Sequence, residues 1–483
     1  MYLKLKLSFC LFFIGVAVCH AQQKWSLIQC VKYAMDSNIS IRQSEIQGQL
    51  ADLNYKQSKL SQVPLLNSSN NVGYRFGKSQ NPSTGILENQ NYFQIGLNLQ
   101  SSATIFNWFS KKNTILANEW SLEAANAATD KLKNDVGLNV ANSYLQVLLN
   151  IQQEHIAEVQ VQQSIAQLDI TRKQVTAGAL PELNAVELES QLASDSSNLI
   201  TAQGNVTQAK FVLKSYMGLD ANALFEIDEP PVDKIPVDPI AELQPEDVYA
   251  LALANQPQQR YNLFNLRAAQ KNTLAMKGML YPTFSAFGGI GTSYGFFRTP
   301  IYNQVFTGYT PSGLVISNGS GGYDPVFAPI FQNGAKNGYI TSPGLGTQFS
   351  NNFGQSIGIG LSIPILNGWQ SRTSYERSKL NEKSLEYQIG LDNQTLKQNI
   401  YQAYNAAVVA LEKLTSSQKQ IDAAQQSYDF ALRRYTVGIL TTLELLTDQN
   451  NLFRAKLQYV SNQFDYVFKM KVLEFYKGEG LKL

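Results

Sequence analysis

Residue types that support enzymatic chemistry are scarce in this sequence of 483 residues. Behind a predicted signal peptide, only Cys30 and His155 remain of the three cysteines and two histidines. This pair cannot build a Cys/His zinc site or an internal disulfide, and His155 lies in the polar run NIQQEHIAEVQ, which is typical of a solvated helix face. The run GGIG at 288–291 lacks the helix and the lysine of a phosphate loop. We therefore expect no enzyme, no metal site and no cofactor.

Carboxylates that follow two glycines are the remaining candidates for chemistry. The segment QVTAGALPELNAVELESQL (174–192) places Glu187 after Gly178, and RYTVGILTTLELLTDQNNL (434–452) places Glu444 and Asp448 after Gly438. Each glycine interrupts helix-like sequence, so the acids lie near the start of a new helix. Either the helix dipole alone favours them there, or they belong to a functional site.

Residues 1–21 have the pattern of a secretory signal peptide. Lys4 and Lys6 precede an apolar run, and Ala21 suits the cleavage position; acylation of Cys19 is the alternative. Without this segment, 39 − 2 = 37 basic residues balance 37 acidic ones. A net charge of zero argues against a nucleic-acid partner. No later run of about 18 apolar residues predicts a membrane-spanning helix.

The chain repeats itself at constant spacings. We interpret it as two structural repeats, 22–218 and 245–478, joined by an acidic, Pro-rich linker over 219–244 with at most one short strand near 224–227. Residues 479–483 form a short tail. Matches at an offset of 260 residues include Tyr144, Thr176, Gly178, Leu180, Leu183 and Gly218 with Tyr404, Thr436, Gly438, Leu440, Leu443 and Gly478. Matches at an offset of 218 include Ala34, Arg42, Lys59 and Pro64 with Ala252, Arg260, Lys277 and Pro282.

Both repeats have the same predicted order of elements. The first repeat is expected to contain a helix over 26–60, a β-hairpin over 64–106, a long helix over 107–177 and a helix over 180–217. The second is expected to contain a helix over 245–280, a β-hairpin over 281–366, a long helix over 367–437 and a helix over 440–476.

The predicted strands alternate apolar residues with small or polar ones. Phe93, Ile95 and Leu97 share one parity, and Ile357 and Ile359 do the same in a later strand. This period of two is typical of a sheet with one apolar and one wet face. Four strands in two separated hairpins make a poor sandwich core, and a small closed barrel needs about eight. The chain must therefore oligomerise to complete its sheet.

The two long helices carry a coiled-coil pattern. Residues 107–177 include only Gly137 as a helix breaker, and 369–437 include only Gly390. At 1.5 Å per residue, each helix would be roughly 105 Å long. Apolar residues at three- and four-residue spacing run along the second, with polar residues on its other faces. Such helices are expected to pack on one another and to leave a polar side to water.

The mature chain resembles the TolC-like outer-membrane efflux factors. The most specific parts are the two glycine turns, Pro64 and Pro282 before the strands, and the junctions IFNW (105–108) and ILNGW (365–369). The resemblance implies a mixed α and β membrane protein. Four β-strands per chain would contribute to a trimeric twelve-stranded outer-membrane β-barrel, which continues into a long periplasmic α-helical, coiled-coil barrel.

The resemblance also implies a function. We expect a homotrimer that is the passive exit duct of a tripartite efflux system for drugs or other small toxic compounds. Its partners would be a periplasmic adaptor (membrane fusion) protein, an inner-membrane transporter and outer-membrane lipid. An outer-membrane component of type I protein secretion is the alternative. A structural or adhesive coiled-coil surface protein is a remote one, since it would not explain two hairpins of alternating strands.

In this family, carboxylates after the second turn ring the periplasmic constriction of the tunnel. Glu444 matches that position, the second acid position falls on Thr447, and Asp448 follows one residue later. Glu187 is a weaker candidate in the first repeat. A ring of carboxylates would attract cations and resist close packing through like-charge repulsion.

The link that holds the family's closed state is altered in this sequence. Its tyrosine is Tyr435, but Asn184 stands at the aspartate position and Leu440 at the arginine position. Arg433 or Arg434 is a candidate substitute. We hypothesise that an Asn184–Tyr435 hydrogen bond closes the gate instead.

Apolar packing near the turns would support this closure. The turns should also be the docking surface for the helical hairpins of the adaptor, which insert between coiled pairs. The residues of the two turns that we predict to dock the adaptor are Gly178, Leu180, Leu183, Gly438, Leu440 and Leu443, and the four leucines are also the ones expected to pack in the closed state.

The second β-hairpin contains a long insertion over 297–350, rich in Gly, Asn and Tyr and nearly uncharged. The long loops of outer-membrane barrels are extracellular, so we expect a surface loop here. A partial lid and a tolerant, ordinary loop both stay open as interpretations.

Overall fold

The structure is a computed structural model that describes residues 24–80, 87–89, 91–232 and 235–478. The predicted signal peptide, the tail over 479–483 and part of the first hairpin's loop lie outside the described residues. The chain divides into two units. A helical unit contains Thr114–Thr273, Glu376–Leu483 and the N-terminal residues to Lys56, and a unit with the main sheet contains Gln57–Asn113 and Leu274–Tyr375.

Helices follow the predicted order along the chain. They are α1 (Leu27–Ser37), α2 (Ile39–Leu60), α3 (Ser110–Thr176), α4 (Glu182–Met217), α5 (Pro245–Asn255), α6 (Pro257–Gly278), α7 (Leu345–Asn351), α8 (Gln370–Thr436) and α9 (Thr442–Tyr476). In the part of the chain that the structure describes, none of them combines the length and apolar character needed to cross a membrane.

The first helix of each repeat is broken in the middle, which differs from the single helices expected over 26–60 and 245–280. Asn38 separates α1 from α2, and its side-chain oxygen accepts hydrogen bonds from the backbone N–H groups of Ser40 and Ile41. Gln256 separates α5 from α6 because a residue before a proline, here Pro257, disfavours the helical conformation.

The two breaks make the same contact with the rest of their repeats. Asn38 and Gln256 are 256 − 38 = 218 residues apart, as in the sequence matches. The Asn38 amide donates to the carbonyl of Tyr216 at 2.9 Å, and the Gln256 amide donates to the carbonyl of Tyr476 at 3.2 Å. Each amide thus satisfies a carbonyl in the last turn of the final helix of its repeat, α4 or α9.

The long helices α3 and α8 each contain 67 residues. Both begin three residues later than expected, at Ser110 and Gln370. The reason is a pair of left-handed residues at each junction: Trp108 (φ 52°) with Phe109 (φ 60°), and Gly368 (φ 59°) with Trp369 (φ 64°). Left-handed residues cannot continue a right-handed helix.

The main apolar core of the helical unit surrounds Tyr144. It includes Leu213 and Met217 of α4 and Ile227 of the linker, all buried. The Tyr144 hydroxyl donates to the carbonyl of Asp228 at 2.6 Å. The strand predicted near 224–227 is a single parallel bridge between Trp25 and Ile227.

The later part of the linker is held by a buried ion pair in α9. Lys471 and Glu474 are 2.8 Å apart, and both are almost fully buried. The Glu474 carboxylate also accepts the backbone N–H of Asp238 at 2.7 Å. The acidic, Pro-rich linker is therefore packed against the repeats.

The main sheet is antiparallel, with strand order β1-β4-β5-β8. Its strands are β1 (Leu65–Arg75), β4 (Tyr92–Phe106), β5 (Thr283–Phe296) and β8 (Gly354–Ser362), while β2 (Lys78–Gln80) and β3 (Leu87–Asn89) form a short separate pair.

The register of the main sheet separates an apolar face from a polar one. On one face, Val72 lies opposite Ile95, which lies opposite Tyr294; on the other, Asn71, Gly96 and Ser293 follow in the same order. Phe284, Ala286 and Ile290 continue the apolar face towards Leu361 and Ile359 of β8. Among the described residues, β1 and β8 each pair along one edge only.

The insertion over 297–350 contains regular structure where a loop was expected. Strands β6 (Arg298–Ser317) and β7 (Tyr323–Thr341) form a long hairpin, and α7 follows them. The register of the hairpin shifts at several points, including between Pro311 and Val315. Such bulges accommodate the prolines and glycines that disguised the strands in the sequence.

Candidate gate between the two helical hairpins

Two glycine turns join the long helices into hairpins. The first hairpin consists of α3 and α4 around Gly178, and the second consists of α8 and α9 around Gly438. Both glycines are left-handed, with φ of 71° and 76°. Ala179 donates back to the carbonyl of Gln174, and Ile439 to the carbonyl of Arg434, each at 2.9 Å. Both turns are therefore Schellman-type helix ends, where glycine adopts the conformation without a side-chain penalty.

The helices that leave the two turns begin differently. In the second hairpin, the Thr441 side chain accepts the backbone N–H of Glu444 at 3.3 Å, and the Glu444 carboxylate accepts the N–H and hydroxyl of Thr441 at 3.0 and 2.8 Å. This is a capping box. In the first hairpin, the capping position is Pro181, which offers no side-chain cap.

The capping box changes the acidity of Glu444. Hydrogen bonds from the backbone and hydroxyl of Thr441, with a smaller electrostatic contribution from Arg434, lower the pKa of this carboxyl below its ordinary value. Glu444 is exposed, so it is both a helix cap and a free negative charge beside the turn.

The candidate lock between the hairpins is a hub of uncharged groups, which we call the turn hub. The Asn184 amide donates to the hydroxyl of Thr442 at 2.7 Å, and the Tyr435 hydroxyl lies 3.5 Å from the same Thr442 oxygen. The Tyr435 hydroxyl is also 3.2 Å from the hydroxyl of Thr171. Tyr435, Thr442 and Thr171 are all buried. The Asn184–Tyr435 bond expected from the sequence is therefore replaced by a bridge through Thr442.

The leucines near the turns fall into two groups. Leu440 packs against the buried cluster of Ala431, Tyr435 and Leu445. Leu180 is half-buried, whereas Leu183 and Leu443 are 64% and 67% exposed. The sequence predicted that all four leucines would pack together to close the gate. Within one chain, Leu183 and Leu443 stay exposed, so this prediction is wrong for the single chain.

Within the described part of the chain, the other residues predicted for the gate make no hydrogen bond to the turn hub. Asp448 accepts the hydroxyl of Ser427 at 3.0 Å, and the Thr447 hydroxyl donates to the carbonyl of Leu443 at 2.8 Å. Both bonds stay within the second hairpin. Glu187 is half-buried on α4.

An apolar layer lies next to the turn hub. It contains Leu168, Ala185 and Leu188 of the first hairpin and Leu446 of the second, all buried. Leucines from both hairpins thus exclude water beside the hydroxyls of the hub, and hydrogen bonds in such surroundings are costly to leave unmade.

Sequence reasoning missed Thr171 and Thr442. A signal for Thr171 was present, because Val161, Ser164, Leu168 and Thr171 follow a three- and four-residue spacing and all four are buried. For Thr442, the sequence offered only a second threonine after the cap, and no local pattern marks it as a partner of the other hairpin.

Cys30 and His155, the two residues first considered for chemistry, take no part in the turn hub. Cys30 is a buried free thiol, and burial raises its pKa to about 12, so it stays protonated at neutral pH. His155 is exposed on α3, 3.9 Å from Glu158.

Comparison with known proteins identifies the family. The family model described as "Outer membrane efflux protein" matches residues 31–219 and 330–471. The outer membrane protein TolC of Escherichia coli (strain K12) is 21% identical over 447 residues, which cover 92% of this chain and 80% of TolC. The pyoverdine export outer membrane protein OpmQ of Pseudomonas aeruginosa is 22% identical over 321 residues, covering 66% of this chain and 56% of OpmQ.

Solved structures have the same fold. CusC superposes with a TM-score of 0.73 at 17% identity, covering 94% of this chain and 92% of CusC. The outer membrane protein VceC of Vibrio cholerae gives 0.72 at 14% identity, covering 94% and 97%. The resemblance drawn from the glycine turns and strand junctions is confirmed: the chain belongs to the outer membrane efflux protein family, as a TolC-like protein of the outer membrane whose helical part lies in the periplasm.

Proposed function

We propose that three copies of this chain close a twelve-stranded barrel in the outer membrane. The main observation is the four-stranded sheet with one unsatisfied edge on β1 and another on β8. An open edge is a template for pairing, and closure into a ring removes it. Pairing β1 of one copy with β8 of the next, three times, gives a barrel large enough for a water-filled interior.

The two faces of the sheet fit this arrangement. Ile357, on the apolar face, is 93% exposed in the single chain, as expected of a residue that contacts lipid. The opposite face carries amides, hydroxyls and glycines, including Asn71, Asn98 and Gln100, which suits a face that lines water.

The same contacts at 218- and 260-residue offsets support an internal duplication. Besides the amide contacts of Asn38 and Gln256, the left-handed pair at 108–109 is repeated at 368–369. Three copies of a duplicated chain would present six similar helical hairpins around one axis. Such a ring is a plausible geometric basis for a tunnel that continues the barrel into the periplasm.

We infer that this tunnel is the passive exit duct of a tripartite efflux system. Its cargo would be drugs or other small toxic compounds, delivered by an inner-membrane transporter through a periplasmic adaptor. Support comes from membership of the efflux family and from the relative OpmQ, which is named for pyoverdine export.

The turn hub is the proposed lock of the periplasmic end. Separation of the two hairpins must break the Asn184–Thr442 bond and expose the apolar layer beside it. Glu444, together with Thr447 and Asp448, would line the constriction in three copies, with Glu187 more peripheral. The exposed carboxylates of Glu444 would repel one another there and favour cations.

The outer surface of the turns is the proposed docking site for the adaptor. Four apolar side chains around the two turns are largely exposed in the chain: Leu183, Val437, Ile439 and Leu443. Clustered exposed apolar residues of this kind mark an interaction surface, and helices of an adaptor would bury them.

Purification in detergent followed by mass measurement and bilayer recording tests this function. We expect a particle of three times the chain mass of 53.7 kDa, corrected for processing, that forms discrete channels in planar bilayers. A deletion strain should become susceptible to a range of small toxic compounds. Loss of a secreted protein without any change in susceptibility would instead favour type I secretion, and a water-soluble monomer would refute the duct.

A further inference from the structure

A carboxylate is buried in the first hairpin, away from the turn hub and beside side chains that reach the second hairpin. Asp195 of α4 is 2% exposed. Its oxygens accept the hydroxyl of Ser164 at 2.6 Å and the amides of Gln160 and Gln191 at 3.3 and 2.8 Å. All three donors are uncharged. Among the described residues, Asp195 forms no ion pair within 4.0 Å.

A buried carboxylate without a charged partner is expensive, so its presence needs a reason. The position related to Asp195 by 260 residues is Ala455 of α9, which is 1% exposed. The same place in the second hairpin is therefore filled by a methyl group. A helix of this type does not need a carboxylate there to pack.

The hydrogen bonds of Asp195 continue across to the second hairpin. Ser164 donates to Asp195, and its oxygen accepts the amide of Gln449 at 3.4 Å. Gln191 donates to Asp195 and to Asn450 at 3.3 Å, while the Asn450 amide donates back to Gln191 at 3.2 Å. Each of the two branches therefore ends on α9.

The carboxylate decides the direction of both branches. It can only accept hydrogen bonds, so Ser164 and Gln191 must turn their hydrogens towards it. Ser164 then has a lone pair left for Gln449, and the Gln191 oxygen is left for Asn450. With a group that also donates at this position, one of these orientations would be lost.

We propose that Asp195 is the positioning residue of a second, buried latch between the hairpins. This inference rests on the proposed function, in which the hairpins separate to open the tunnel. The latch lies 13 residues into α4, or about 20 Å along the helix from its start. The turn hub lies nearer the turns, beside the apolar layer of Leu168, Ala185, Leu188 and Leu446. Opening must therefore break two polar layers.

Asp195→Asn is the sharpest test, because it keeps the size of the side chain and replaces one acceptor by a donor. In planar bilayers we expect the closed dwell time of the purified protein to fall about tenfold, as for loss of hydrogen bonds to a charged group. Gln449→Leu, which removes the bond to Ser164 but keeps the branch through Gln191 and Asn450, should act in the same direction. Asp429→Asn is the matched control, because Asp429 accepts Gln425 four residues earlier but is exposed.

Asp195→Ala separates a latch from a purely structural role. Combined with Ser164→Ala, it copies Ala455 and Ala424 at the related positions of the second hairpin and leaves no Ser164 hydroxyl without its acceptor. The thermal stability of the assembled protein should then be retained while the closed dwell time falls. Unchanged gating in both Asp195 variants, with wild-type channels present, would overturn the latch and leave the duct intact. If the wild-type protein forms no channels at all, the proposed function fails instead.

Discussion

The two helical hairpins have the same backbone design but divide the chemistry between them. Both turn at a left-handed glycine, and both have a long helix of 67 residues before it. At the position six residues after the glycine, the second hairpin has Glu444, which bonds back to its own cap, whereas the first has Asn184, which reaches across to Thr442. The difference follows from the cap: Thr441 bonds Glu444 through its hydroxyl and its N–H. Pro181 has neither group, and only its carbonyl accepts the N–H of Asn184, at 3.2 Å.

This comparison indicates how a repeated scaffold acquires a lock. Under the proposed duplication, the two hairpins began with equal groups at equivalent positions. Here Thr171, Asn184 and Asp195 correspond to Ala431, Glu444 and Ala455. The first hairpin thus carries buried or half-buried polar groups where the second carries alanines or a solvent-facing acid. Contacts between the hairpins depend on this divergence rather than on the shared turn.

The largest expected difference concerns two matched tyrosines in the long helices. Tyr144 is buried and donates to the linker, whereas Tyr404 is half-buried, 3.5 Å from the Gln244 amide. Tyr144→Ala should lower the free energy of unfolding by about 3–5 kcal/mol, and Tyr404→Ala by less than half of that. Thermal unfolding of the detergent-purified variants by circular dichroism measures both. Equal losses of unfolding free energy would contradict the prediction, because they would mean that Tyr404 stabilises its repeat as much as Tyr144 does.

The next largest effect is expected at the turn hub. Thr442→Val keeps the shape of the side chain but leaves the Asn184 amide without its acceptor, a loss of about 1–3 kcal/mol. We expect the closed dwell time in bilayers to fall about tenfold. Thr415→Val is the control, because Thr415 is exposed and its hydroxyl donates to the carbonyl of Leu411 in its own helix, α8. A Thr442 variant that gates like the wild type would remove the hub from the lock.

Alanine substitution should cost the same stability at both turn glycines, although the residues around the two turns differ in their roles. A Cβ at Gly178 or Gly438 meets nothing within 4 Å, so Ala substitution costs only the left-handed backbone, about 1–2 kcal/mol at each. Gly204 in α4 and Gly390 in α8 also have open space but no positive φ. Ala at those two sites should stabilise by up to about 1 kcal/mol. A marked inequality between the two turns in thermal unfolding would contradict their equivalence.

The smallest effect is a pH dependence confined to the second hairpin. The capping box lowers the pKa of Glu444, so its stabilisation is present above the ordinary Glu pKa and is lost as the pH falls through the lowered folded pKa. The thermal midpoint of the wild type should therefore lose this contribution, relative to Glu444→Gln, as the pH falls below the ordinary Glu pKa of about 4.3. Asn184→Gln in the first hairpin should leave that pH profile unaltered. Parallel profiles for the wild type and the Glu444 variant would show that the cap has no role in stability.

Local features of the gate could be read from the sequence. Gly178 and Gly438 required a left-handed turn, and Thr441 with Glu444 three residues later is the pattern of a capping box. The partners across the hairpins could not be read in this way. The match to the family pointed to Asn184 and Tyr435, but the structure inserts Thr442 between them.

Two errors in the expected elements have local causes. The helix over 245–280 breaks before Pro257, a signal that was present in the sequence and outweighed by the helical pattern around it. The β6–β7 hairpin was expected as a loop because its glycines, asparagines and prolines obscure the alternation of residues. In such a hairpin, main-chain pairing between the two strands overrides weak local preference.

The sequence by itself determined the elements and their repetition, because helix periodicity, strand alternation and glycine conformation depend on residues close together in the chain. Only the tertiary structure decided which side chains meet. Asn184 lies six residues after its glycine, whereas its partner Thr442 lies four residues after Gly438. The contacts between the hairpins thus join positions that are not equivalent in the two turns. Which positions meet is set by packing of the buried layers, which no local pattern specifies, and this packing brings Thr442 to Asn184 and Gln449 to Ser164.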